Sequence, residues 1–70
     1  MKLCARNQIK GKVLEIRKGG VNCSVVLDIG NGQTITATNS LAGIEELGLK
    51  VGDEAYAVFK AISVMVGTED

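Results

Sequence analysis

No histidine, no proline and no tryptophan occur in the 70 residues, and Tyr56 and Phe59 are the whole aromatic complement. Without histidine the ordinary general base and the commonest metal ligand are missing. The acidic residues are scattered, and no hydrolase elbow, P-loop or metal-ligand cluster is present, so no enzyme is expected and no metal held by direct side-chain coordination. Two aromatics give little to stack bases on, and eight basic against eight acidic residues leave no net charge. That balance argues against nucleic acid or an anionic membrane surface as partner, so any bound anion must be held locally. Two cysteines, Cys4 and Cys23, are too few for a disulfide framework. With neither a signal-peptide pattern nor an apolar run long enough to cross a bilayer, the expectation is a cytoplasmic protein with reduced thiols.

What is there is a succession of short β signals punctuated by glycine, consistent with one domain over residues 1–70. A first strand is expected from Leu3 to Arg17, with Ile9, Val13 and Ile16 apolar and Gly11 marking a bulge or a close backbone approach. After Lys18-Gly19-Gly20, residues Val21, Cys23, Val25, Leu27 and Ile29 share one face and Asn22, Ser24 and Asp28 the other, with Val26 the one exception, as in a half-buried antiparallel strand. Gly30-Asn31-Gly32 tolerates positive φ and predicts a tight hairpin into a strand from Gln33 to Thr38. Ile35 and Ala37 share one face of it, and Thr34, Thr36 and Thr38 the other, a row that ordinary β-propensity on a solvent face explains. Leu41, Ile44 and Leu47 then recur at helical spacing, with Asn39 or Ser40 as cap and Gly48 as stop.

A final strand or pair of strands is expected over Ala55 to Val66. One register puts Tyr56, Val58, Ile62, Val64 and Val66 in an apolar row with Lys60 in its middle, where a buried lysine would be costly. Two readings stand: a bulge at Lys60-Ala61 or snorkelling takes the ammonium to water, or the ammonium meets a bound anion. The expected fold is all-β with one short helix, a five-stranded Greek-key barrel of the OB type. Because such barrels commonly bind single strands, a nucleic-acid-binding module is one alternative, and a regulatory interaction domain another.

The opening stretch, Cys4-Ala5-Arg6-Asn7-Gln8-Ile9-Lys10-Gly11-Lys12-Val13, places small residues beside planar donors suited to an oxygen-rich anion, although arginine at a strand start is commonly a solvated edge charge. It resembles the Ser-Ala-Arg-Asn-Gln-Leu-Lys-Gly-Lys-Val opening of the molbindins, the small molybdate-binding Mop proteins with a TOBE/OB-like domain. The likeness continues through Val25-Val26-Leu27-Asp28-Ile29, Gly30-Asn31-Gly32, Glu45-Glu46-Leu47-Gly48-Leu49 and Ala57-Val58-Phe59-Lys60-Ala61. The resemblance implies intracellular molybdate binding, and tungstate binding with it, for storage or homeostasis and without an organic cofactor. It also implies oxyanion sites between subunits of a homo-oligomer, a hexamer built as a trimer of dimers. The long first segment, Met1 to Arg17, is expected to reach a neighbouring subunit and set Arg6 of one chain close to Lys60 of another. Matched residue by residue, the implied ligands are Cys4, Ala5, Arg6 and Asn7 in the opening segment, Thr36 after the hairpin, Ser40 at the helix start, and Lys60 with Ala61. Cys4 stands where the family has serine, and a thiol is a weaker donor than a hydroxyl.

Overall fold

A computed structural model of the chain describes residues 6–69. It contains four strands, β1 (Asn7–Lys18), β2 (Asn22–Gly30), β3 (Gln33–Ser40) and β4 (Glu54–Phe59), with one helix, α1 (Leu41–Leu47), between the last two. All neighbouring strands are antiparallel in the order β3-β2-β1-β4. β1 is the spine of this curled sheet. Its first half pairs with β4, Asn7 opposite Phe59 through Lys12 opposite Glu54, and its second half pairs with β2, from Lys12 opposite Asp28 to Lys18 opposite Cys23.

The long strand changes faces once. Its register against β2 slips between Val13 and Glu15, which leaves Leu14 as the extra residue of a bulge. Before the slip the inward positions are Ile9, Gly11 and Val13; after it Ile16 turns in, which accounts for an apolar spacing that simple alternation cannot. The expected irregularity at Gly11 is therefore a close approach, with the bulge three positions later. A Cβ placed on Gly11 would lie 2.8 Å from the Asp28 carbonyl oxygen.

Asn31, at φ 55°, and Gly32, at φ 73°, form the two-residue apex joining β2 to β3, a conformation that Asn and Gly reach at low cost. Ser40 caps α1 by accepting a hydrogen bond from the Gly43 N–H at 3.0 Å, and Gly48 ends the helix in the left-handed region with its N–H donating to the Glu45 carbonyl. The helix buries only Ile44, and that residue closes a core of Val13, Cys23, Val25, Leu27 and Ala57. Burying one such aliphatic side chain contributes about 1.5–3 kcal/mol, so this single contact is a large part of what fixes the helix on the sheet.

Three expectations are corrected. The sheet has four strands, not five, so the expected barrel is a half-barrel, open between the edges of β3 and β4. The chain expected to form a strand through Val66 leaves the sheet after Phe59, makes a 3-10 turn over Ala61–Ser63, and runs on without a ladder partner among the described residues. Lys60 consequently lies just past the end of the strand rather than in a bulge within it, and is exposed. The apolar row is also inverted. Ala57 is buried and Ala55 and Phe59 half-buried, because their partners Ile9, Gly11 and Asn7 set the inward face of the ladder. Tyr56 and Val58 point out, and Ile62 and Val66 are 90% and 94% exposed.

Candidate functional site

The β1–β4 ladder brings the two ends of the candidate site together. With Asn7 opposite Phe59, Arg6 and Lys60 are the next positions along, just beyond the last paired residues. The structure thus gathers Arg6, Asn7, Lys60 and Ala61 at one rim of the sheet, although they lie far apart in sequence. Arg6, Lys60 and Ala61 are exposed and Asn7 is half-buried. Neither cation forms an ion pair with a described carboxylate, whereas Lys10 is matched to Glu54 at 2.8 Å and Arg17 to Glu15 at 2.8 Å. Cys4 and Ala5 lie outside the described residues.

A tetrahedral dianion needs several directed N–H and O–H donors with positive charge beside them. The guanidinium, the ammonium and the Asn7 carboxamide are donors of that kind. Two further candidates come from β3, at the other edge of the sheet. Thr36 is exposed on the hydroxyl face and pairs through its backbone with Val26; Ser40 is also exposed and pairs with Asn22. The Ser40 oxygen already accepts from Gly43, which leaves its O–H free to donate elsewhere. No hydrogen bond joins Thr36 or Ser40 to the Arg6–Lys60 rim among the described residues. Among those residues, too, no group of three His, Cys, Asp or Glu side chains could hold a metal ion, and no helix is long and apolar enough to cross a membrane.

Sequence reasoning missed the Lys10–Glu54 pair and the groove beside it. The hydrogen bond from Lys10, and then its charge, hold the Glu54 carboxyl below the usual carboxylate range, and the same contact raises Lys10. No local signal marks this pair, since β1–β4 pairing alone creates it. The groove, of about 420 Å³, lies between the β3 and β4 edges and is lined by Val25, Leu27, Ala37, Ile44, Leu49 and Ala57 among others. The sequence does carry one hint of unfilled apolar surface, because β4 and the residues after it are hydrophobic on both faces.

A curled antiparallel sheet with one capped helix across its open side is a small OB-like β module, and the comparisons agree with that class. The TOBE domain model matches residues 4–66. Over 69 residues the chain is 58% identical to the probable molybdenum-pterin-binding protein of Haemophilus influenzae, covering 99% of this chain and 100% of that protein. Among solved structures, MopII from Clostridium pasteurianum in an apo form superposes with a TM-score of 0.89 at 48% identity, covering 96% of this chain and all of the other. A molybdate-binding protein from Sporomusa ovata does so with a TM-score of 0.89 at 32% identity, covering 97% and 100%. The chain belongs to the TOBE domain family, among the small proteins named for binding molybdenum-pterin or molybdate.

Proposed function

We propose that this protein binds molybdate, and tungstate as its close tetrahedral analogue, and that it holds the oxyanion for storage or homeostasis without transforming it. The observation that carries the reading is the β1–β4 register, which sets two cations unpaired with described carboxylates, Arg6 and Lys60, side by side at a rim that also presents the Asn7 carboxamide. Whole-length similarity to relatives named for molybdenum supports the choice of anion. Cys4 and Ala5 contribute backbone N–H groups next to Arg6, and Ala61 contributes its own next to Lys60. Organic cofactor, nucleic acid and membrane have no part in this reading. The setting is the cytoplasm, where the buried Cys23 remains a thiol.

The sites are completed between copies of the chain, in a homo-oligomer with the hexamer, a trimer of dimers, as the expected state. Thr36 and Ser40, remote from the rim along the pairing of one sheet, are then donors from a neighbouring copy. Supporting this are the two open edges, the apolar groove between them, and the exposed Ile62, Val64, Met65 and Val66, more apolar surface than an isolated chain of this size ordinarily shows. Calorimetric titration with molybdate, sulfate and a short single-stranded oligonucleotide tests the function. Saturable heat with molybdate is expected, and heat only with the oligonucleotide would overturn it. Light scattering at micromolar concentration tests the assembly, which a monodisperse species of 7.3 kDa with and without molybdate would refute.

A further inference from the structure

The chemistry at the β2–β3 apex is independent of oxyanion binding. Asn31 and Gly32 are both exposed at the tip of the hairpin. The Asn31 carboxamide has no hydrogen-bond partner among the described residues, while the nearby Asp28 carboxylate is engaged by the Gly30 N–H at 2.9 Å. The Gly32 N–H enters none of the backbone hydrogen bonds of the turns and loops, and no atom beyond its two chain neighbours lies within 4 Å of the place where a Cβ on Gly32 would be. An electrophilic amide carbon and the backbone nitrogen of the next residue are therefore both free of hydrogen-bond restraint, and residue 32 has no side chain to hinder their approach. From this geometry we infer that Asn31 is a site of spontaneous deamidation in the folded protein.

The step needs only water and base. The Gly32 backbone nitrogen gives up its proton to solvent base and bonds to the Asn31 side-chain carbonyl carbon. The bond from that carbon to the amide nitrogen breaks, and the nitrogen leaves as ammonia. Water then opens the five-membered succinimide at either carbonyl, giving aspartate or isoaspartate, with no change of oxidation state. Attack requires ψ of Asn31 to swing the Gly32 nitrogen towards the side chain. Only the two apex residues must move, since Gly30 and Gln33 remain paired beneath them.

The two products differ in consequence. Aspartate, like asparagine, tolerates the left-handed conformation of residue 31, so that product keeps the turn and adds one negative charge to a chain of zero net charge. Isoaspartate routes the main chain through the side chain and lengthens a two-residue loop by one atom. That loop sets the β2–β3 register, including the position of Thr36 opposite Val26.

Three other asparagines provide internal controls, because Asn7, Asn22 and Asn39 precede Gln8, Cys23 and Ser40, whose Cβ atoms hinder the same attack. The test is incubation of the folded full chain in warm, mildly alkaline buffer, followed by peptide mapping by mass spectrometry and enzymatic detection of isoaspartate. Conversion at Asn31 should run severalfold faster than at the other three and be absent from Asn31→Gly, a variant whose glycine accepts the positive φ. Conversion at Asn31 no faster than at Asn7, Asn22 and Asn39, or seen only after denaturation, would overturn the inference.

Discussion

Gly11→Ala tests whether the curl of the sheet depends on an empty position in β1. The added methyl would lie 2.8 Å from the Asp28 carbonyl oxygen and 3.3 Å from both Ile29 Cγ2 and Leu27 Cβ. The first of these is backbone in the paired strand and cannot rotate away, so β1 and β2 must separate or slide. Overpacking of this kind costs about 1–3 kcal/mol, and replacing glycine recovers about 0.4–1 kcal/mol by restricting the unfolded chain. The net expectation is a loss centred on ~1.3 kcal/mol and no larger than ~2.6 kcal/mol, and the central value lowers Tm by roughly 5–10 °C in a domain this small. The matched control is Gly20→Ala, where nothing lies within 4 Å of the new methyl and the change should stabilise by about 0.4–1 kcal/mol through the unfolded chain alone. Urea denaturation of the two variants and the parent at equal protein concentration decides the matter. If Gly11→Ala is no less stable than Gly20→Ala, the close approach of β2 over Gly11 does not hold in solution.

Lys60→Ala should leave the melting temperature almost unchanged, since the side chain is exposed past the end of β4, yet weaken molybdate binding about tenfold to a hundredfold by calorimetry. Ser40→Ala removes the helix cap and should cost about 0.5–2 kcal/mol in urea denaturation without molybdate. Cys4→Ser substitutes a stronger donor and should bind molybdate as well as or better than the parent, so a clear loss of affinity in the same titration would assign the thiol a role of its own. Glu54 has its carboxyl pKa lowered by Lys10, so the contribution of the pair is present above the ordinary carboxylate pKa and lost as pH falls through the lowered one. Both partners are exposed, so the effect should be small and salt-sensitive, visible as a flatter acid limb of the stability profile in Glu54→Gln.

Where local chemistry decides the structure, the sequence could be read closely. The helix of about two turns, its Ser40 cap, its Gly48 stop and the Asn31-Gly32 apex all follow from residues within a few positions of one another. Strand β2 was legible for a related reason: Cys23, Val25 and Leu27 fall on one face and, apart from Val26, their neighbours on the other face are polar. The last strand was misread because both its faces are apolar. The larger side chains, Tyr56 and Val58, suggested the wrong register, and the inward face was set by pairing with Asn7, Ile9 and Gly11 of β1, which only the tertiary structure reveals. Within the candidate site, the donor chemistry of Arg6, Asn7 and Lys60 could be named from sequence, but Arg6 was expected beside Lys60 of another copy, whereas the ladder between the two ends of the chain sets the two side by side within one copy. The face change at Leu14 was hidden as well, since nothing about a leucine announces a bulge.

The division of β1 between two ladders has a consequence for the order in which the molecule forms. The β1–β2 ladder closes through the short span from Lys18 to Cys23, whereas the β1–β4 ladder must first bring Lys12 and Glu54 together across most of the chain. In a flexible chain the longer closure costs about 2 kcal/mol more in entropy. The β1-β2-β3 meander should therefore assemble first and β4 dock onto it last, with the reverse order on opening. Hydrogen exchange in the absence of ligand is expected to be faster for the β4 amides than for those of Val25 and Leu27, and equal protection would remove this ordering. The rim carrying Arg6 and Lys60 thus belongs to the part of the fold that comes together last, so an anion gripped by both residues would act as a kinetic latch and slow the release of β4.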